Sequence, residues 1–310
     1  LKLSNYKASN MLLFSAIMVT RNRRVEVCDA LESILKQRAI AECIVIVDAS
    51  GDDTVSILQN RFPQVRLIVN ERRRGVSFCR NLAIQEARNE FILQIDDDAV
   101  LTREDISETI LDYFTDQRFA AVTIPFINIK QSDALLHQSP NPSVTCVAYT
   151  YTGTAIMLRR SVFLELGGYS LALEHWGEER DYALRLLNAG YFVIYGDSEP
   201  VHHSTSVSRD MEYQNIYLYR NQFFFNFLRA PMLYLPALFV WSLVWCVRNA
   251  LRSNTISLAI RGFTLGISAC YRYLNLRDPM QLSRFRLALL LRRKGGMPLA
   301  EVEEWIETHG

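Results

Sequence analysis

Along the first hundred residues, apolar positions come in short blocks separated by polar stretches with helical spacing. LFSAIMVT (13–20) is a continuous apolar run of strand type, and Val27, Leu31, Ile34 and Leu35 then recur one helical turn apart. CIVIVDAS (43–50) is a second such run. Residues 54–61 read as a short helix closed by Pro63, VRLIVN (65–70) as a third strand, and FILQID (91–96) as a fourth. Between the last two, residues 77–87 place Phe78, Leu82 and Ala83 on one side of a helix. Apolar strands alternating with helices predict an α/β fold, a Rossmann-like, mostly parallel sheet with helices on both faces. Ligands of such sheets bind beyond the carboxyl ends of the strands. Thr20, Asp48, Asn70 and Asp96 all fall there.

The pattern is looser afterwards. Residues 120–128, 154–160 and 191–197 read as strands, and 129–146, polar with two prolines, as a loop or acceptor-facing flap. Residues 161–169 read as a short helix stopped by Gly167-Gly168, and 177–191 as a helix with an acidic start and a Gly190 stop.

Composition sharpens this picture at the C-terminal side. The 310 residues are 49% hydrophobic and 22% charged, which excludes a disordered chain. The net charge of +1 divides into about −5 over residues 1–228, +10 over 229–294 and −4 over 295–310. We therefore expect a catalytic domain at 1–228 and a basic, apolar helical region at 229–310. Residues 230–247 contain no charge between two arginines, at the short end for a membrane span. Three readings stay open: a span, amphipathic helices on an anionic membrane face, or helices packed on the catalytic domain. The six cysteines include no CxxC pair, which argues against a zinc ribbon or disulfide scaffold and for a reducing compartment. The first twenty residues lack signal-peptide features, so the expected location is the cytoplasm, at the cytoplasmic face of the membrane.

Candidate chemistry centres on Asp96, Asp97 and Asp98. Carboxylates one residue apart can point the same way from an extended chain, and a hard divalent cation would relieve their repulsion and hold a diphosphate. A solvated turn is the alternative. Asp48 could accept N–H donors from a base or ribose, or cap the helix starting near Thr54, a job better suited to Asp52 or Asp53. Glu178, Glu179 and Asp181 cluster at a helix N-terminus, where the dipole favours ionised carboxylates and one could take a proton from a hydroxyl. Asp181 and Arg185 are also spaced for an ion pair. His202-His203 offers an imidazole suited to Mn²⁺ beside a carboxylate. The basic stretch RRRGVSFCRN (72–81), with Arg74 and Arg80, suits an anion.

In their order and spacing, VTRNR (19–23), IVIVDASGDDT (44–54), RRGVSFCRNLAI (73–84), LQIDDDA (93–99), TGTAIMLRRSVFLELGGY (152–169), GEERDYALRLLNAGY (177–191) and VHHSTS (201–206) resemble the inverting family 2 nucleotide-sugar glycosyltransferases of GT-A fold. The resemblance covers most of residues 13–210. It implies that Thr20, Arg21 and Asn22 line the base and that Asp48 binds it. Arg80 would lie near the diphosphate and Asp97 near the ribose. Asp96 and Asp98 would be the outer positions of a DxD motif, with Asp98 the more direct ligand of Mn²⁺ or Mg²⁺. A histidine after the last strand would complete the metal site, and the spacing to the following Ser-Thr-Ser favours His202. The base would be Glu179, where the family usually carries aspartate, with Asp181 as the alternative. Ser170 replaces an acid often found after Gly-Gly-aromatic.

The implied reaction is transfer from a nucleoside-diphosphate sugar, of UDP or dTDP type, to a glycan or lipid-linked acceptor, as in polysaccharide biosynthesis. A nucleotidyltransferase would need a phosphate loop such as GxxxxGK[ST], which is absent. A non-catalytic nucleotide-sugar binder would be expected to lose the acids that are present. The basic segment interleaves arginine with leucine and tryptophan and has no nucleic-acid recognition motif.

Overall fold

The computed structural model describes residues 12–204 and 211–310, with the side chain of residue 211 excepted. Part of the signal-peptide reading (residues 1–11) and Thr205-Ser206, which bore on the choice of histidine, lie outside the described residues.

The apolar runs fold as the alternation predicts. Strands β1 (Phe14–Thr20), β2 (Ile40–Asp48), β3 (Arg66–Asn70) and β4 (Phe91–Ile95) alternate with helices α1 (Glu26–Leu35), α2 (Thr54–Arg61) and α3 (Val76–Glu86). They lie parallel in the order β4-β1-β2-β3, so the strand ends line up at one edge. Burial on both faces explains why β1, β2 and β4 are nearly all apolar rather than alternating.

A two-residue strand β5 (Ala99–Val100) and helix α4 (Ile106–Leu111) follow. The predicted strand at 120–128 is two strands, β6 (Phe119–Thr123) and β7 (Phe126–Asn128), interrupted at Pro125, whose missing N–H cannot join a ladder. The region read as a loop holds two short pairings, β8 (Leu135–Leu136) and β9 (Cys146–Val147). Then come β10 (Ala155–Arg159), α5 (Arg160–Glu165), α6 (Glu178–Ala189), β11 (Phe192–Tyr195) and β12 (Val201–His203). Strand β10 lies antiparallel between β4 and β6 and continues the sheet toward β11. A second sheet, β5-β12-β7-β8, stands over the strand ends.

The C-terminal part consists of α7 (Met211–Arg229), α8 (Leu235–Ser253), α9 (Ile256–Arg272), α10 (Leu282–Lys294), β13 (Met297–Pro298) and α11 (Leu299–His309). The boundary expected at 228/229 is crossed in both directions. Helix α7 starts before it, and β13 pairs with β9 to complete the nine-stranded sheet, order β13-β9-β11-β6-β10-β4-β1-β2-β3. Residues of α10 and α11, including Phe285, Leu287, Leu291 and Val302, belong to the same core as β1 and β4. The helices that stand apart are α8 and α9, packed mainly on α7.

Candidate active site

Strand β4 delivers the three aspartates to the sheet edge. The Asp96 N–H donates to the Thr154 carbonyl (2.9 Å) and the Ala99 N–H to the Asp96 carbonyl (3.2 Å), which pins the turn. The carboxylates then diverge to two arginines. Arg80, buried on α3, donates to Asp96 (2.8 Å), while Arg23 reaches both Asp97 and Asp98 at 2.7 Å. The chain itself thus supplies the cationic partners that three adjacent like charges require. Arg23 was not singled out from the sequence, although it ends the VTRNR stretch; a cation near a triple carboxylate was the available signal.

The electrostatics of the three differ. Burial pushes Asp97 up to about 7, although Arg23 and the Thr20 hydroxyl pull it back. Burial also acts on Asp98, but His203 and Arg23 overcome it and hold this carboxyl below the usual range. For Arg80, burial opposes the charge, and Asp96 and Glu179 together outweigh it, so the guanidinium is held firmly charged.

Of the two histidines, it is His203 that joins the site. Side chains alternate along β12, so Val201 and His203 are buried and His202 is exposed. Pairing of β12 with β5 sets His203 opposite Ala99, and its Nε2 lies 3.0 Å from Asp98 Oδ1. Asn128 Oδ1 stands 2.7 Å from His203 Nδ1, a contact that fixes the ring with Nε2 facing Asp98. The preference for His202 was a matter of spacing alone; a one-residue register step decides the face. One ligand atom each from Asp96, Asp98 and His203 lies within 4.8 Å of the others. This set of two carboxylates and an imidazole fits a divalent cation of the Mn²⁺ type.

The acid pair approaches from α6. Gly177 (φ 95°) begins the helix and Gly190 (φ 89°) ends it, both in the left-handed region that glycine adopts without strain. Glu179 Oε1 lies 3.2 Å from Arg80, and Glu178 Oε1 3.7 Å. Arg80 therefore bridges the acid pair to Asp96. Gly153 is the residue that makes room, since a Cβ there would lie 2.4 Å from the Arg80 guanidinium and 2.7 Å from Glu179. Glu178 is 4% exposed, and burial and the neighbouring Glu179 push its carboxyl up to about 8. Asp181, the alternative base, is turned away. It is fully buried between Arg185 (2.9 Å) and Arg229 (2.6 Å), and both carboxylate oxygens are engaged. The i,i+4 pair foreseen for it is present, and Arg229 adds a second.

At the ends of β1 and β2, Asn22 (φ 54°) accepts the Gly51 N–H (2.8 Å) and its own N–H donates to Ser50 Oγ (3.0 Å), joining the two loops. Arg21 donates to the Ala49 carbonyl (3.5 Å). Asp48 accepts from the backbone N–H groups of Arg74 (2.8 Å) and Gly75 (3.0 Å) and from Asn70 (3.0 Å). Burial opposes its ionisation, but these donors win and hold it below the usual carboxylate range. Asp48 thereby fixes the 71–75 loop, while Asp52 bonds the Thr54 N–H (3.2 Å) at the start of α2. The Arg74 guanidinium lies over the Phe78 ring at 4.1 Å. Thr20, Asp48, Arg80 and the three aspartates thus share the carboxyl edge of the sheet, as the strand pattern required.

The model of glycosyl transferase family 2 matches residues 15–167, which includes Arg23, Asp48, Arg80 and the aspartates. That segment of the chain is a family 2 glycosyltransferase match. An uncharacterized glycosyltransferase of Haemophilus influenzae is 24% identical over 201 residues, 62% of this chain and 68% of that protein. The O-antigen chain rhamnosyltransferase WbaN of Salmonella anatum is 24% identical over 200 residues, 56% of this chain and 60% of that protein. Among solved structures, mannosyltransferase PcManGT from Pyrobaculum calidifontis, in complex with GDP-Man and Mn²⁺, superimposes with a TM-score of 0.58 at 17% identity. That match covers 86% of this chain and 88% of the other, and at that identity it establishes the GT-A fold. The candidate site extends past the matched segment, because the acid pair on α6 and His203 on β12 complete the same edge.

Proposed function

We propose that this family 2 protein is a metal-dependent inverting glycosyltransferase, moving a sugar from a nucleoside-diphosphate sugar of UDP or dTDP type to a hydroxyl of a glycan or lipid-linked acceptor. The observation that carries the reading is the convergence of Asp96, Asp98 and His203 at the carboxyl edge, bridged through Arg80 to Glu179. Asp96, Asp98 and His203 would hold Mn²⁺ or Mg²⁺, which when bound offsets the charge developing on a leaving diphosphate. Thr20, Arg21, Asn22 and Asp48 line the base side, Asp97 the ribose, and Arg74 and Arg80 the phosphates. Glu179 takes the proton of the acceptor hydroxyl as its oxygen attacks the anomeric carbon opposite the diphosphate, and a single displacement inverts that centre. Asp181 is spoken for by two arginines and burial pushes the Glu178 carboxyl up to about 8, which leaves Glu179 as the acid facing the edge.

The reading also includes an anionic membrane surface, at the cytoplasmic face, as partner of α8 and α9. Met232–Ser253 is long and apolar enough to cross a membrane by length and composition, with a mean hydropathy of 1.3, and only 11% of its apolar window is buried. The arginines at 248, 252 and 261 supply the matching charge.

The test of the transferase reading is thermal stability with UDP, dTDP, GDP or CMP, each with and without Mn²⁺. Binding to the native state raises the melting temperature by mass action. A Mn²⁺-dependent rise with one nucleoside diphosphate is expected, and Asp98→Asn should abolish its Mn²⁺ dependence. A rise that survives intact in that variant would remove Asp98 from the metal site.

A further inference from the structure

Between the end of α5 and the start of α6 the chain takes a costly path. Glu174 (φ 59°), Trp176 (φ 65°) and Gly177 (φ 95°) all lie in the left-handed region, which bulky residues adopt only when their surroundings over-determine it. This stretch ends directly on Glu178 and Glu179. What holds it is distant in sequence. Asn221, on α7 and 4% exposed, points its amide nitrogen at the carbonyls of Leu173 (2.8 Å), His175 (2.7 Å) and Trp176 (2.8 Å). Only the nitrogen end of the amide can face three carbonyls, and its oxygen accepts from Arg220 (2.6 Å). Arg220, equally buried, donates to the Ala172 carbonyl (2.9 Å) and to Glu174 (3.3 Å), and Tyr217 bonds the same carboxylate (2.5 Å). Phe224 and Leu228 continue the stripe against Ala172 and Leu173. One face of α7, at helical spacing, is thus devoted to the loop that presents the acid pair.

From this geometry we infer that Asn221 is a positioning residue for Glu179. It splints the 173–176 turn so that α6 begins where Glu179 meets Arg80. The inference rests on the transferase reading, and it adds a requirement that the sheet edge does not reveal. Asp48, Asp98 and His203 sit on other elements, so loss of the splint should spare nucleotide and metal binding and slow the chemistry.

The test uses the full chain and measures release of nucleoside diphosphate from UDP-glucose, UDP-N-acetylglucosamine, dTDP-rhamnose and GDP-mannose with Mn²⁺, well below each variant's melting temperature. Asn221→Asp keeps the shape but turns an acceptor toward three carbonyls, and Asn221→Ala removes the contact. Both should lower kcat by roughly tenfold or more while the Kd for nucleoside diphosphate and Mn²⁺ stays within about twofold. Asn221→Ser, which retains one donor, should lie between and carries the comparison if the others do not fold. Asn226→Ala, on the α8-facing side of α7 where Asn226 bonds Ser242 (3.0 Å), should keep wild-type kcat. Combining Asn221→Asp with Glu179→Gln should be no slower than Glu179→Gln alone, because both act through one group. Normal kcat with a lowered melting temperature would overturn the inference, as would a parallel loss of nucleotide binding. Wild-type turnover in Glu179→Gln would instead overturn the base assignment, a failure recognisable without any Asn221 variant.

Discussion

Glu178 shows how burial assigns different states to neighbouring acids. Its carboxyl is desolvated and sits beside Glu179, and one of its oxygens has no hydrogen-bond partner among the described residues. The folded protein therefore binds its proton up to about pH 8, whereas the unfolded chain releases it near 4.5. Between those values the native state holds more protons than the unfolded one, so stability falls as pH rises through that window. Glu178→Gln mimics the neutral form. It should leave the unfolding free energy unchanged near pH 4 and raise it at pH 8, by an amount on the order of a few kcal/mol, read from unfolding curves across pH. Equal pH dependence in both proteins would show that Glu178 is ionised when folded. At this scale the sequence was informative about residue type and weaker about direction. The aspartates, Arg80 and the acid pair were legible from strand ends and helix starts. His203 was not, because facing depends on register, and neither was Arg23, because its partner lies 74 residues away.

At the scale of elements, the apolar runs of β1, β2 and β4 gave the parallel sheet because strands buried on both faces need no alternation. The C-terminal helices were harder to place, since an apolar helix reads alike whether it meets protein or lipid. What sorts them is glycine. A Cβ on Gly262 would lie 2.6 Å from the Tyr219 Cβ and 2.7 Å from the Ile216 carbonyl oxygen, and one on Gly266 would lie 2.9 Å from the Arg220 carbonyl oxygen. These two positions, one turn apart, let α9 press its backbone on α7. Gly262→Ala should force the helices apart at a cost of about 1–3 kcal/mol and lower the melting temperature by several degrees in calorimetry. An unchanged midpoint would mean that the two helices do not meet this closely.

At the scale of the whole molecule, one side of the chain is unlike the rest. Val240, Val247, Leu251 and Ile260 are each at least half exposed on α8 and α9, near Arg248, Arg252 and Arg261. If this side meets an anionic bilayer, the protein should float with vesicles containing phosphatidylglycerol and be left behind by neutral phosphatidylcholine ones. Val247→Glu with Leu251→Glu should abolish flotation. Equal flotation with neutral vesicles would make insertion, and not charge, the source of binding. The charge asymmetry of the sequence announced this side, but it could not announce that residues beyond it return to the sheet. That return has a consequence for synthesis. A ribosome that has delivered residues 1–228 has made every acid and base of the site, yet strand β9 still lacks its partner β13 and the core lacks Phe285, Leu291 and Val302. The nascent chain must wait, with an open edge and a hollow beneath it, while the apolar hairpin emerges and passes. If α8 and α9 meet a membrane, closure of the sheet and delivery to that surface would be consecutive events of one translation, with the hairpin exposed before the sheet is closed.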